Sequence, residues 1–444
     1  MYFRFEYTER RSATLTAPQM QKLNQGLSLS TMCILLFVAL CPFEDIYEGA
    51  LSSAGRSLSL YPLLVLAALA GANWIIRGHY RVHVATLLAV VYAVIITLFG
   101  LAVFGTSNLG QNLIVKSVTS AIPLALFMYA VLAIDYEQPY IKEAVAIAFC
   151  FLIAGFLFSD HNLLGLKPLF NSRIFHYSQV VDRRAKGFAS EASVYSQQII
   201  GIGLLLTSMV VQRSWKILVG IVTVLLLIAS GSKGGLSTIF LCLIVYTFIR
   251  WHSRWYHVIF LIGSLSVLGL IAVKVLPVLF TTDVIETFST IATRGGMITC
   301  ACQISWHYPF GVGLSGFVPA IQKTLPSSID FIQSLFKVRF NLQEILLYMK
   351  SSEFVSTKTF FFDQLIRFGL PFAAAYIYFT YKTGKQLLSQ NKAGYWIVFA
   401  CTMIAITTYI QPVGAYSTAI VLGVILNEAR QESSGRHDRL SVSA

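Results

Sequence analysis

Long apolar runs recur from end to end of this chain, and they constrain its fold more than any other feature. A single water-soluble core could not bury so many runs, whereas a bilayer with a hydrocarbon core of roughly 30 Å accommodates them as helices. We therefore predict an all-α, polytopic integral membrane protein with about 12 transmembrane helices. The predicted spans are Leu27–Cys41, Leu58–Ile76, Val84–Phe104, Leu113–Ile134, Ala144–Phe158, Val194–Val211, Ile217–Ala229, Leu236–Ile249, Val258–Leu279, Phe360–Phe379, Tyr395–Ile410 and Val413–Leu426.

Composition supports a membrane protein, since 56% of residues are hydrophobic and only 12% are charged. The formal net charge of +13 falls mostly in short connections between the apolar runs, which is the pattern that orients helices in a membrane. We therefore do not expect a nucleic-acid partner. The seven cysteines include no CxxC spacing, so neither a metal nor a disulfide framework is expected, and no cofactor is predicted.

Alternating loop charge sets the predicted topology. Residues 1–26 form a cytoplasmic N-terminal segment without a cleavable signal, residues 27–427 form the transmembrane domain, and 428–444 form a polar cytoplasmic tail that we expect to be disordered. Two long connections, at about 159–193 and 281–359, face outward yet are basic. Either they meet an anionic ligand or they contact lipid phosphates.

The second outer connection is expected to contain short helices. Residues Ser328–Met349 show apolar side chains at three- and four-residue spacing, which predicts one amphipathic helix in the membrane interface. Such a helix could cover a lateral lipid entrance or simply pack on the membrane domain.

Arg294 and the Pro/Gly-rich segment that follows it, up to Phe317, suggest how an anionic substrate would be held. A guanidinium at the mouth of a membrane cavity suits a diphosphate, and glycines would let backbone approach the ligand. Arg184, Lys186 and Lys233 lie in two other connections predicted on the same side, so these cations are expected to converge with Arg294. Lys233 alternatively extends to lipid phosphates.

Glu191 falls at the predicted outer edge of the membrane, close in sequence to the basic residues. It is either the first-turn acid of a helix capped by Ser190 or a functional carboxylate. His176 and His307 are possible bases on the outer face, although a loop histidine is more often only solvated. We interpret Asp363 and Arg367, one turn apart, first as a helical ion pair.

Four pieces of the sequence resemble the bacterial O-antigen polymerase and ligase family of the Wzy/WaaL type. They occur in the order of that family and cover roughly residues 180–372. The matching pieces are Arg184 with Lys186-Gly-Phe and Ser190-Glu-Ala-Ser, Ser230-Gly-Ser-Lys, Arg294 with Pro309-Phe-Gly-Val-Gly-Leu-Ser-Gly-Phe, and Phe362-Asp-Gln-Leu with Gly369-Leu370.

The resemblance implies a GT-C-like glycosyltransferase of the inner membrane that uses undecaprenyl-diphosphate-linked oligosaccharide at its periplasmic face. It implies a catalytic role for Arg294, diphosphate binding by Arg294, Arg184, Lys186 and Lys233, and Glu191 as the first candidate for the base. A membrane protein that regulates chain length is an implied partner, together with the membrane lipids.

One departure favours the polymerase over the ligase. The ligase branch carries a His-Asn pair where this chain has Lys358-Thr359, although Lys358, like the outer histidines, could bind the acceptor. The expected function is therefore a polymerase for O-antigen, capsule or exopolysaccharide repeat units. The alternatives are a ligase acting on lipid A core and a transporter or flippase for an anionic glycolipid, for which no inverted repeat is visible.

Overall fold

A computed structural model describes residues 28–45, 57–77, 84–161, 163–165, 184–251, 284–336, 342–350, 355–411, 413 and 416–441. Within these ranges the chain forms fourteen α-helices and one short hairpin. The helices are α1 Leu29–Ala39, α2 Leu60–Arg77, α3 Val84–Phe104, α4 Leu113–Leu132, α5 Ile141–Ala154, α6 Ala192–Met209, α7 Arg213–Ala229, α8 Lys233–Trp251, α9 Val284–His307, α10 Gly313–Phe336, α11 Gln343–Lys350, α12 Phe360–Ser389, α13 Ala393–Thr408 and α14 Ser417–Ser441. The hairpin pairs β1 Ser107–Asn108 with β2 Gln111–Asn112, and α5 continues as a π-helix over Gly155–Asp160.

The helix positions agree closely with the hydropathy pattern. Eleven of the twelve predicted runs fall on helices, and the remaining run, Val258–Leu279, lies outside the described residues. Local signals also place helix starts: the Ser28 hydroxyl accepts from the Thr31 N–H at 3.1 Å, and Asn112 Oδ1 accepts from the Ile114 N–H at 2.9 Å.

The expected number of membrane crossings is not supported. Among the described residues three helices are long and apolar enough to span a bilayer, namely Thr86–Phe104, Leu113–Leu132 and Ile141–Asp160. Four further apolar helices are shorter. Apolar side chains point outward on α3, where Leu88 is 63% exposed, as expected for a surface that meets lipid.

Two hydrophobic clusters organise the packing. The larger one joins α1, α2, α4–α8, α13 and α14, together with Phe360 at the start of α12 and Leu387 near its end. The smaller one joins α9, α10 and α11 with Ile366 of α12. Helix α12 therefore contributes to both clusters.

Two expectations about irregular segments were wrong. The amphipathic helix predicted for Ser328–Met349 is instead the end of α10, which begins at Gly313, and the separate helix α11. The polar tail expected to be disordered after Asn427 continues as the helix α14 to Ser441. In the first case the apolar spacing was correct, but it spans two helices, since the pattern does not show where one helix ends.

Candidate functional site

Arg294 lies within α9, partly buried, and four side chains influence it electrostatically. The carboxylates of Glu191 and Glu344 and the phenol of Tyr409 favour its charged form, whereas the cation of Arg184 opposes it. Burial is the largest effect and lowers the pKa of the Arg294 guanidinium, and these acids act against that shift. Three connections that are far apart in sequence thus meet around one arginine.

Glu191 occupies the N-cap position of α6, one residue later than the Ser190 cap that we expected. Its backbone is extended, with φ −143° and ψ 155°, and its side chain caps no backbone N–H. The carboxylate instead accepts from the Ser193 hydroxyl at 3.2 Å and is exposed. A carboxylate so lightly bonded keeps lone pairs for a substrate.

Glu344 on α11 is held by three partners. Thr293 donates to Oε2 at 3.0 Å, Tyr348 donates to Oε1 at 2.7 Å, and Lys358 Nζ lies 3.3 Å from Oε1. Burial acts to raise the pKa of Glu344, but the Tyr348 hydrogen bond and the Lys358 charge outweigh it, and the pKa is lowered. Glu344 is therefore a fixed anion that pairs with Lys358 and favours the charged form of Arg294.

Arg184 reaches the same place from the segment that precedes α6. Its aliphatic carbons pack over Gly231, in the turn between α7 and α8, and the Ser196 hydroxyl donates to Ser232 Oγ at 2.9 Å. Two of the motifs singled out in the sequence are thus in direct contact. We call Arg184, Glu191, Arg294, Glu344 and Lys358 the charged site.

The glycines of the Ser230–Gly235 turn serve packing. A Cβ on Gly234 would meet the ring of Tyr409, and one on Gly235 would meet Ser196. The ring of Tyr409 thus packs on Gly234, and its hydroxyl donates to Gln197 Oε1 at 3.4 Å. Lys233, within this segment, is the first residue of α8 and is exposed.

Lys186 is placed differently from the other predicted cations. It is buried, and Asp160 accepts the backbone N–H groups of Lys186 and Gly187 at 3.3 and 2.9 Å. The positive charge of Lys186 also interacts electrostatically with the Asp160 carboxylate. Lys186 therefore lies where it can brace the loop that carries Arg184.

Of the two candidate histidines, the structure describes His307 alone, and it lies away from the charged site. His307 is exposed at the end of α9, and thirteen residues of helix after Arg294 correspond to about 20 Å. His176 lies outside the described residues.

The glycines between Pro309 and Phe317 approach the protein's own backbone, contrary to the expected ligand contact. The Val312 N–H donates to Ile366 O at 3.0 Å, and the Leu370 N–H donates to Pro309 O at 2.7 Å. Gly313, with φ +71°, lies against Thr97 of α3, and Gly369 interrupts α12 with φ +66°. The Pro/Gly segment therefore fastens α10 to α3 and α12.

Asp363 and Arg367 are not paired as simply as the sequence suggested. Asp363 accepts from the Thr357 N–H at 2.7 Å and the Ser356 hydroxyl at 2.9 Å, and the Gln411 amide also donates to it. Arg367 lies over the ring of Phe317, 4.4 Å from its centre, and acts on Asp363 through its charge. Both side chains are buried.

The sequence reasoning missed Glu344, Tyr348 and Tyr409. Glu344 was hidden in a segment interpreted only for its apolar spacing, and Tyr409 stands at the end of an apolar run where an aromatic residue is ordinary in a membrane protein. Both lie near Arg294 through contacts distant in sequence. Among the described residues no group of three His, Cys, Asp or Glu side chains could hold a metal ion.

Comparison with known proteins finds a relative from a bacterium. An "uncharacterized 49.5 kDa protein in cps region" of Klebsiella pneumoniae is 28% identical to this chain over 314 residues, which cover 69% of this chain and 72% of the relative. No protein-family model matches the sequence.

Proposed function

We propose that this protein is a membrane glycosyltransferase that joins lipid-diphosphate-linked oligosaccharide repeat units into a polysaccharide. The observation that carries the proposal is the meeting of Arg294 with Arg184 and Glu191, from two distant parts of the chain, at a partly exposed place. The relative encoded in a cps, or capsule polysaccharide, region supports the same biosynthetic setting.

The chemistry follows from the charges. The hydroxyl of an acceptor sugar attacks the anomeric carbon of the donor, the new C–O bond forms, and the bond to the lipid diphosphate breaks. Arg294 and Arg184 stabilise the negative charge that grows on the departing diphosphate, for which the fork of a guanidinium suits two phosphate oxygens.

Glu191 is the favoured acceptor of the proton that the attacking hydroxyl loses. It is exposed and receives one hydrogen bond, from Ser193, whereas Glu344 is occupied by Thr293, Tyr348 and Lys358. A general base must have lone pairs within reach of the substrate, and Glu191 meets that requirement better. Glu344 and Lys358 then position Arg294 and the acceptor.

The test is elongation by the purified protein in nanodiscs, supplied with undecaprenyl-diphosphate-linked repeat units and read as a ladder on a gel. Arg294→Ala should slow elongation by about 100-fold or more, because a charge that stabilises the transition state is lost. Arg213→Ala is the matched control, since Arg213 is an exposed arginine at the start of α7. A normal ladder from Arg294→Ala would refute the assignment.

The rivals have distinct outcomes in the same assay. Transfer that occurs only after a lipid A core acceptor is added would make the protein a ligase. Absence of both reactions, with repeat units retained on the cytoplasmic side in a deletion strain, would make it a transporter.

A further inference from the structure

A second polar group is enclosed at the beginning of α12. Gln364 is only 1% exposed, yet neither its Nε2 nor its Oε1 has a hydrogen-bond partner among the described residues. Arg367 is 9% exposed and its Nε is likewise unsatisfied, as is Oε1 of Gln411, which bonds Asp363 through its amide nitrogen. We call Asp363, Gln364, Arg367 and Gln411 the buried polar cluster.

Such a cluster needs a partner. A buried donor or acceptor without one carries its full desolvation cost, and an apolar side chain of similar shape would avoid it. Gln364 and Arg367, three residues apart, occupy neighbouring positions on the helix surface, so their unsatisfied groups belong to one locality.

The cluster lies at the seam between the two hydrophobic clusters. Phe360 belongs to the larger and Ile366 to the smaller, and Gln364 lies between them along α12. It is also close to the charged site, because the Thr357 N–H donates to Asp363 and the adjacent Lys358 pairs with Glu344. Ligand sites are common where two packed units meet.

The unsatisfied atoms define the chemistry of the partner. Two are donors, Gln364 Nε2 and Arg367 Nε, and two are acceptors, Gln364 Oε1 and Gln411 Oε1. Phosphate oxygens only accept hydrogen bonds and would leave both amide oxygens unpaired. An ammonium group only donates and would leave Gln364 Nε2 and Arg367 Nε unpaired. A hydroxyl group does both, so several hydroxyls on one ring match the set.

We propose that the buried polar cluster binds a hydroxyl-bearing sugar ring and determines which saccharide the protein accepts. The proposal rests on the proposed function insofar as that sugar belongs to the lipid-linked substrate. The charged site would then hold the diphosphate, and the cluster the saccharide beside it. Glutamine at 364 is thus a specificity residue rather than a catalytic one.

The experiment measures binding to the full-length protein in nanodiscs. The two probes are the repeat-unit oligosaccharide released from its carrier, and undecaprenyl diphosphate without sugar. Gln364→Met, which removes both unsatisfied groups at similar volume, should weaken oligosaccharide binding at least about tenfold and leave undecaprenyl diphosphate within about twofold. Gln390→Met is the matched control, since Gln390 also has an unsatisfied amide oxygen but lies at the other end of α12.

Gln364→Asn provides a second variant if Gln364→Met does not fold, since it keeps the amide but withdraws it by one methylene; it should show the same selective loss. Unchanged oligosaccharide binding in the variants, an equal loss for both probes, or no oligosaccharide binding by the wild-type protein would each overturn the proposal. Binding is measured apart from elongation, so selective loss in a protein that makes no ladder would keep the sugar subsite and sink the polymerase. If the wild-type protein makes a ladder but Gln364→Met binds the oligosaccharide normally, the polymerase proposal stands and the sugar subsite is refuted.

Discussion

The charged site and the buried polar cluster are neighbours, but they treat polar groups in opposite ways. In the charged site each carboxylate has partners and the ion pair of Glu344 with Lys358 is 38% and 36% exposed. In the buried polar cluster most of the side chains are buried, and several of their polar atoms have no hydrogen-bond partner among the described residues. The difference teaches that the chain pairs its carboxylates in the accessible charged site, whereas it leaves polar atoms of Gln364, Arg367 and Gln411 without partners in the described structure where solvent is excluded.

The largest effect on stability is expected from a substitution of Gly369, which lies two residues after Arg367 of the buried polar cluster. Its φ of +66° and ψ of −159° are accessible essentially only to glycine, and a Cβ would meet the backbone of Pro309 and Phe310. Gly369→Ala should lower the free energy of unfolding by about 2–6 kcal/mol, from backbone strain plus overpacking. Urea unfolding of the detergent-solubilised protein measures it.

Gly71→Ala is the control for that change, because Gly71 lies inside α2 with nothing within 4 Å of a Cβ. It should be neutral or stabilising by about 0.5–1 kcal/mol. Equal effects of the two substitutions would show that the Gly369 break is not held by packing.

Glu44 tests whether burial or pairing decides the state of a carboxylate. Burial raises its pKa to about 7, against hydrogen bonds from Ser417 and Gln198, whereas the paired Glu344 has its pKa lowered. A raised folded-state pKa means that stability is greatest below the unfolded value of 4.5 and is lost as pH rises to about 7. The loss should approach about 3 kcal/mol at 1.36 kcal/mol per pKa unit.

Thermal unfolding measured between pH 4.5 and about 7 checks this loss of stability. In Glu44→Gln the stability should depend less on pH across the same window. Glu344→Gln should leave this window unchanged, because its contribution is present above the unfolded pKa and is lost only as pH falls further. A Glu44→Gln profile that still falls across the window would assign the dependence to another group.

The smallest effect is expected from the ion pair of the charged site. Both partners are more than a third exposed, so their coupling in a double-mutant cycle of Lys358→Met and Glu344→Gln should be about 0.2–1 kcal/mol. Unfolding in urea gives this coupling. A much larger value would mean that the pair is as enclosed as the buried polar cluster.

Periodicity and charge predicted most of the helices and part of the charged site. Val84–Phe104 was located to the residue because apolar runs end where polar residues begin. Arg294, Arg184 and Glu191 could be identified as candidates because an ionisable group at the outer edge of the membrane is expected to be paired or functional. The number of crossings could not be predicted, since an apolar helix can pack against protein as readily as against lipid.

Other parts of the site lacked any local signal. The glycines between Pro309 and Phe317 look like ligand-binding glycines in sequence, and only the three-dimensional contacts assign Gly313 to Thr97 and Gly311 to Arg367. Gln364 stands in an apolar run where a single amide gives no indication of being unsatisfied. The glycine contacts and the unsatisfied amide of Gln364 both depend on packing between residues far apart in sequence, which a single sequence does not reveal.

The seating of α10 on α3 has a consequence for the lipid environment. Gly100 and Gly316 bring the two helices together, and Ser315 donates to Thr97 O at 2.6 Å, while the other side of α3 is apolar and exposed. A helix of this length spans about 31 Å, close to the thickness of a bilayer core. In a thinner or thicker bilayer we expect α3 to tilt and to carry α10 with it, so acyl-chain length would tune the height of Arg294 relative to the bilayer surface.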